Sequence, residues 1–173
     1  QELGQEVEAP EYQRGTPALL FAAWLRMNIE QLRIAGLRCF GETAVALDPG
    51  INVFAGDNGA GKTSVLEAVF LLSHGRSFRS GAKDALLQRG ASGLSIFAEL
   101  RHADGRLARL GLGRTGPRWE GRIDGLNAPL GELVRECAVV CFDPGSHALI
   151  SGGAEERRRY LDWGVFHVEP QFL

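Results

Sequence analysis

Gly56-Asp-Asn-Gly-Ala-Gly-Lys62-Thr63 lies between a short apolar stretch, Ile51 to Ala55, and a run that is apolar nearly all round, Val65 to Leu72. The octet fits the pattern G-x-x-x-x-G-K-[ST], and its flanks predict the setting that pattern needs, a buried strand leading in and a buried helix leading out. Glycines let successive backbone N–H groups turn inward around phosphate oxygens, and the helix offers the same anion the positive end of its dipole. On this reading Gly56, Asp57, Asn58, Gly59, Ala60, Gly61, Lys62, Thr63 and Ser64 form a nucleotide-binding set. Lys62 reaches the β- and γ-phosphates, and the Thr63 hydroxyl serves Mg²⁺. ATP is favoured over GTP because the chain contains no Asn-Lys-x-Asp guanine-reading segment.

Working outward, Ile29, Leu32 and Ile34 with Gly36 beyond them suit a short strand, and Thr43 to Leu47 a second. Asp48-Pro49-Gly50 predicts a turn, after which Ile51 to Ala55 is a third, buried strand. Thr63 to Ser73 is a helix ended by Gly75, and its apolar circumference requires burial against a sheet. Ser80 to Arg89 suits a short helix, and Gly93 to Leu100, Leu107 to Leu112 and Arg118 to Ile123 are strands broken by glycine turns. Leu130 to Glu136 is a helix, Ala138 to Phe142 a buried strand, and Ala154 to Tyr160 the start of another helix. The expected organisation is a nucleotide-binding lobe over 27–79, a small β-rich subdomain over 80–137, and a return strand with a helix start over 138–173. The class is α/β.

The 173 residues, 45% hydrophobic and 23% charged, describe one ordinary soluble domain, or one and a piece, and count against disordered, collagen and coiled-coil classes. A net charge of −2 carries no overall footprint for nucleic acid, so any such binding is local. Residues 1–26 hold Glu2, Glu6, Glu8 and Glu11 against Arg14 and Arg26, which accounts for that −2. Their apolar run, Ala18 to Leu25, is about half of the roughly 20 residues a spanning helix needs, and the acidic segment before it is unlike a secretory leader. Met27 is the only methionine, and regular patterning begins directly after it. Residues 1–26 therefore read as a non-native or disordered extension, with a private N-terminal helix as the alternative. Cys39, Cys137 and Cys141 make no disulfide framework or usual zinc spacing, which fits a reducing cytoplasm.

Hydrolysis also needs an acid to hold the metal. Ala138-Val-Val-Cys-Phe-Asp143 is the hydrophobic run that ends in one. Ile150-Ser151-Gly152-Gly153-Ala-Glu-Glu-Arg157 imitates the L-S-G-G-Q-x-x-R signature of ABC transporter ATPases, in which the metal-holding strand follows the signature, so the two readings compete. The most basic stretch carries Arg101, Arg106, Arg109, Arg114, Arg118 and Arg122 against Asp104 and Glu120. Arg109 and Arg114 are candidate contacts to DNA phosphates, as are Arg76 and Arg79 beyond the buried helix. The plainer reading of the stretch is a solvated face in a chain with 17 arginines and 2 lysines. Arg157, Arg158 and Arg159 follow Glu155 and Glu156 at helical pair spacings, and His102, His147 and His167 have no metal-ligand spacing.

Beyond the phosphate loop, Met27-Asn-Ile-Glu-Gln-Leu-Arg-Ile, Pro49-Gly-Ile-Asn-Val-Phe and Leu71-Leu-Ser-His-Gly-Arg-Ser-Phe-Arg79 resemble the N-terminal half of the RecF family, bacterial recombination mediators. Arg122-Ile-Asp-Gly, Phe142-Asp-Pro-Gly-Ser-His and Leu149 to Val168, with Asp162-Trp-Gly-Val-Phe-His167 inside it, resemble that family's middle block. The likeness covers Met27 to the end. It implies part of an SMC- and ABC-like P-loop ATPase head, with a Walker A loop here and with the true signature and Walker B acid further along than Leu173. It also implies that Ser151-Gly-Gly is not the signature. The family's function follows as an expectation: an ATP-dependent homodimer binds double-stranded DNA and gap junctions and works with RecO and RecR to load RecA, with slow hydrolysis as a switch. This portion alone is expected not to turn over ATP. Alternatives are an ABC transporter ATPase subunit, which requires membrane partners, or an inactive truncated copy.

Overall fold

Alternation of side chains decides which face of the central sheet is buried. The computed structural model describes residues 27–79, 86–142 and 144–168. β1 (Met27–Leu37) and β2 (Phe40–Ala46) form an antiparallel pair, with Leu32 opposite Val45 and Ile34 opposite Thr43. β3 (Gly93–His102), β4 (Leu107–Thr115), β5 (Arg118–Ile123) and β6 (Leu126–Ala128) then meander antiparallel. The strands expected in this middle region are therefore present, but the sheet does not break near residue 80. β1 takes β3 on its other side, placing Ile34 against Ile96 and Leu32 against Ala98. The result is one six-stranded sheet in the order β2-β1-β3-β4-β5-β6.

The reason is a shared apolar face. Leu32 and Ile34 of β1, Leu94, Ile96, Ala98 and Leu100 of β3, and Ala108, Leu110 and Leu112 of β4 recur at every second position and are all buried in one core. α1 (Lys62–His74) covers that face with Val65, Ala68, Leu71 and Leu72, and α2 (Leu130–Glu136) adds Leu133. Each leucine, isoleucine or valine among them contributes roughly 1.5–3 kcal/mol by leaving water, so splitting β1 from β3 would expose a row of such side chains at once. Gly75 ends α1 as expected: at φ 63 its N–H donates to the Leu71 carbonyl at 2.9 Å. A short α3 (Ala148–Ser151) and a longer α4 (Ala154–Val168) follow, the latter running two turns beyond the expected start at Ala154 to Tyr160.

Two expected strands are not formed. Ile51 to Ala55 is without strand structure, with Ile51 93% exposed and Val53 83%. Ala138 to Phe142 is likewise without strand structure, with Phe142 81% exposed. Both have strand composition, but a strand is held by a ladder to a neighbour, and no described strand pairs with either. The helix expected over Ser80 to Arg89 falls partly on residues 80–85, outside the described residues. Its remainder is not an α-helix. Leu87 instead bridges Leu37, while the N–H groups of Arg38 and Gln88 donate to the carbonyls of Leu86 and Gly36 at 2.8 Å. Residues 1–26 and Asp143 also lie outside the described residues.

Candidate nucleotide-binding site

Gly56 to Gly61 loops out at the start of α1, with glycine at the three positions where φ is positive: Gly56 at 147°, Gly59 at 88° and Gly61 at 96°. The Ala60 N–H closes a turn on the Asp57 carbonyl at 3.2 Å. Gly61 occupies the N-cap of α1 without a side-chain cap, and no acidic residue stands in the first turn. Helix starts leave their first N–H groups without intrahelical partners, so this end of α1 keeps its positive character. Lys62 bends back across the loop and donates from Nζ to the Gly56 carbonyl at 2.7 Å and the Asp57 carbonyl at 2.8 Å. Its ammonium is thereby held over the loop's mouth. Thr63 is exposed on the first turn, whereas Ser64 is buried and its N–H donates to the Gly61 carbonyl at 2.8 Å.

One exposed hydroxyl, from Thr63, fits Mg²⁺, an ion that keeps waters and takes much of its shell from substrate phosphates. No group of three or more His, Cys, Asp or Glu that could hold a metal occurs among the described residues.

The four candidate DNA-facing arginines separate by geometry. Arg76 is exposed beyond Gly75, and Arg79 lies 3.7 Å from the Glu67 carboxylate. Arg109 points to the outer face of β4 and pairs with Glu99 at 3.1 Å. Arg114 does not fit the expectation: it is 5% exposed, donates from Nε to the Gly116 carbonyl at 2.9 Å, and lies over the Trp119 ring at 5.6 Å. Position 114 shares the parity of Leu110 and Leu112, so the alternation that buries them turns Arg114 inward too. Arg101 and Arg106 are also engaged, with Glu30 and Glu136. Arg101, Arg106 and Arg109 are thus ion-paired on the exposed side of the sheet, where Arg118 and Arg122 are exposed as well.

Ser151-Gly152-Gly153 forms the corner between α3 and α4, with the Ser151 hydroxyl donating to the His147 carbonyl at 3.2 Å and Arg157 donating to the Gly152 carbonyl at 3.0 Å. Cys137 is buried, which pushes its thiol up to about 12 and leaves it a packing residue. Sequence reasoning missed Glu67 and Arg38. The available signal was a lone carboxylate in an otherwise apolar helix, a residue type almost never fully buried unless paired.

Two stretches distant in sequence meet beyond the far end of α1. His74 stacks on Phe70 at 3.8 Å and on Trp163 of α4 at 5.5 Å, and His167 places its ring nitrogens 2.9 Å from the Trp163 carbonyl and 3.0 Å from the Val134 carbonyl. Burial, then the charges of Arg76 and His167, lower His74 to about 4. The folded chain thus refuses a proton that the unfolded chain accepts near the ordinary value of 6.5. Stability is full above about 6.5 and is lost as pH falls from there toward about 4. His74→Phe, which keeps the stack and removes the titration, is expected to flatten the acid limb of urea midpoint against pH. Identical limbs in both proteins would show that His74 is not responsible.

The family model described as an AAA domain matches residues 31–105. The chain is 51% identical over 152 residues to the DNA replication and repair protein RecF of Xanthomonas axonopodis pv. citri, covering 85% of this chain and 41% of that protein. For the RecF proteins of Stenotrophomonas maltophilia and Pseudomonas putida the identities are 50% over 153 residues and 38% over 148, covering 85% of this chain and 42% and 40% of those proteins. A solved structure described as the recombination mediator protein RecF with ATP superposes with a TM-score of 0.76 at 25% identity, over 84% of this chain and 40% of that one. The chain is a RecF-family sequence. It corresponds to the N-terminal part of RecF and spans about two fifths of the length of the curated relatives it matches. Its α/β fold, with the six-stranded antiparallel sheet, is that of the RecF type of ABC- and SMC-like P-loop ATPase.

Proposed function

We propose that this chain is the ATP-binding portion of a cytoplasmic DNA replication and repair protein, a recombination mediator of the RecF kind. ATP held by Gly56 to Ser64, with Mg²⁺ on Thr63, drives dimerisation of the whole protein. The dimer retains double-stranded DNA and gap junctions and works with RecO and RecR to load RecA. Residues 27–79 serve as the ATP-binding lobe and 80–137 as a second element grafted on the same sheet.

The observation that supports this reading is Lys62, held over the mouth of a glycine loop that opens an uncapped helix. The two carbonyls that hold its ammonium are neutral, so the anionic oxygens of a β- or γ-phosphate, which add a full Coulomb attraction to the hydrogen bond, are the stronger acceptors. The N–H groups at the start of α1 would donate to the same anion, and the Thr63 hydroxyl would give Mg²⁺ one ligand beside waters and phosphate oxygens. Nucleotide shared between two subunits stabilises the dimer by mass action, so the lifetime of bound ATP sets the lifetime of the DNA-retaining form. No helix among the described residues is long and apolar enough to cross a membrane.

On the DNA side the exposed Arg76 and Arg109 meet the phosphates, whereas Arg79 faces the Glu67 carboxylate and Arg114 belongs to the core. Replacing Arg76 and Arg109 by alanine in the full-length protein is expected to flatten the salt dependence of duplex binding, by about 0.9 in log–log slope for each phosphate no longer neutralised. Arg114→Ala is expected to leave the slope alone and lower the unfolding temperature. An unchanged slope in the double variant would return both arginines to the solvated face.

A further inference from the structure

Glu67 is the only acidic residue in α1, and it is fully buried. Arg38 clamps it with both arms of its guanidinium, Nε to Oε2 at 2.9 Å and Nη2 to Oε1 at 2.7 Å. The Ser77 hydroxyl donates to the same carboxylate, and Arg79 stands 3.7 Å away. Burial pushes the Glu67 carboxyl up, but these donors and charges outweigh it and hold it below the ordinary carboxylate range. Three pieces of chain thus meet on one carboxylate: the turn between β1 and β2, the helix that follows the phosphate loop, and the segment beyond that helix.

The turn is where the phosphate loop finds its support. Arg38 holds a left-handed backbone at φ 54, which costs a non-glycine residue free energy and persists only where its surroundings impose it. Its N–H donates to the Leu86 carbonyl at 2.8 Å, and its side chain is clamped by Glu67. Cys39 and Phe40 come directly after it, and both press on Gly61. A Cβ at Gly61 would lie 2.4 Å from Phe40 Cζ and 3.0 Å from Cys39 Sγ. Gly61 immediately precedes Lys62, so packing is continuous from the buried carboxylate to the loop's cation.

We propose that Glu67 is a positioning residue for the phosphate loop, setting the β1–β2 turn against Gly61 through Arg38 and so holding the loop and Lys62 ready for a triphosphate. This rests on the nucleotide reading above, and it predicts coupling where a merely stabilising ion pair predicts none. Both Glu67→Gln and Phe40→Ala break the same line of packing, one at each end.

The test is the affinity of this chain for MgATP by titration calorimetry, below the unfolding temperature of every variant, with circular dichroism as the check on fold. Glu67→Gln and Phe40→Ala are each expected to weaken binding about tenfold, comparable to removing one charged hydrogen bond. The double variant is expected to be no weaker than the weaker single, because effects along one line of packing do not add. Glu67→Asp, which keeps the charge, is expected to recover part of the affinity. Wild-type affinity in Glu67→Gln, or a double variant weakened by the product of the two single effects, would overturn the proposal. If Glu67→Gln does not fold, the same cycle is run with Arg38→Lys, which keeps the charge but not the two-armed clamp. Lys62→Ala separates the two ideas: if it also binds like the wild type, the nucleotide reading itself fails, whereas loss of binding there beside an additive cycle rejects Glu67 alone.

Discussion

Lys62→Ala is expected to abolish ATP-dependent dimerisation and DNA retention in the full-length protein, and to weaken MgATP binding by about one to two orders of magnitude, from the roughly 1.5–3 kcal/mol carried by a hydrogen bond to a charged group. The structure gives the residue two tasks at once. Its ammonium bridges the carbonyls of Gly56 and Asp57, which shapes the loop, and it is the one cation held at the loop's mouth by such bonds among the described residues. Lys62→Met separates these from simple packing, because methionine keeps much of the stem and removes the charge. Both variants are expected to fail alike in size-exclusion measurements with and without ATP. ATP-induced dimerisation that persists in either would defeat the assignment of this loop.

Gly61→Ala is expected to damage both stability and nucleotide binding. The position combines φ 96 with a neighbour that leaves no room, since an added Cβ would come within 2.4 Å of Phe40 Cζ and 2.9 Å of Cε1. Holding an ordinary residue in that backbone region costs on the order of 1–3 kcal/mol, and pushing the Phe40 ring aside adds an overpacking penalty of similar size. A total of about 2–6 kcal/mol is a large part of the stability margin of an ordinary domain. Phe40→Ala in the same chain removes the collision but not the backbone strain, so the double variant is expected to regain part of the unfolding temperature. Recovery of the full wild-type value would mean that the backbone strain is negligible, and no recovery would mean that the ring is not the obstacle.

Most of the elements were legible from local signals, and the limits of those signals show at particular residues. The end of α1 at Gly75 and the helix at Leu130 to Glu136 depend on interactions within a turn or two, and the sequence carries them. The phosphate loop is legible for the same reason, being eight consecutive residues with a defined flank on each side. Arg114 shows a signal that was present and overruled. Its parity with Leu110 and Leu112 places it inside, while its company of other arginines suggests the surface. Glu67 shows one that is only half available: a carboxylate in an apolar helix announces a partner, but Arg38 is 29 residues away and Ser77 ten.

By itself the sequence determined the strands from β1 to β5, the main helices, the phosphate loop and the likeness to RecF, because alternation, capping and glycine placement act over a few residues. Only the tertiary structure decided that β1 continues into β3 as one sheet, that Ile51 to Ala55 and Ala138 to Phe142 have no ladder among the described residues, and that Glu67, Arg38 and Gly61 form one line of packing. Those outcomes depend on which distant segment lies alongside, and a pattern of period two or 3.6 names the face to be covered without naming what covers it.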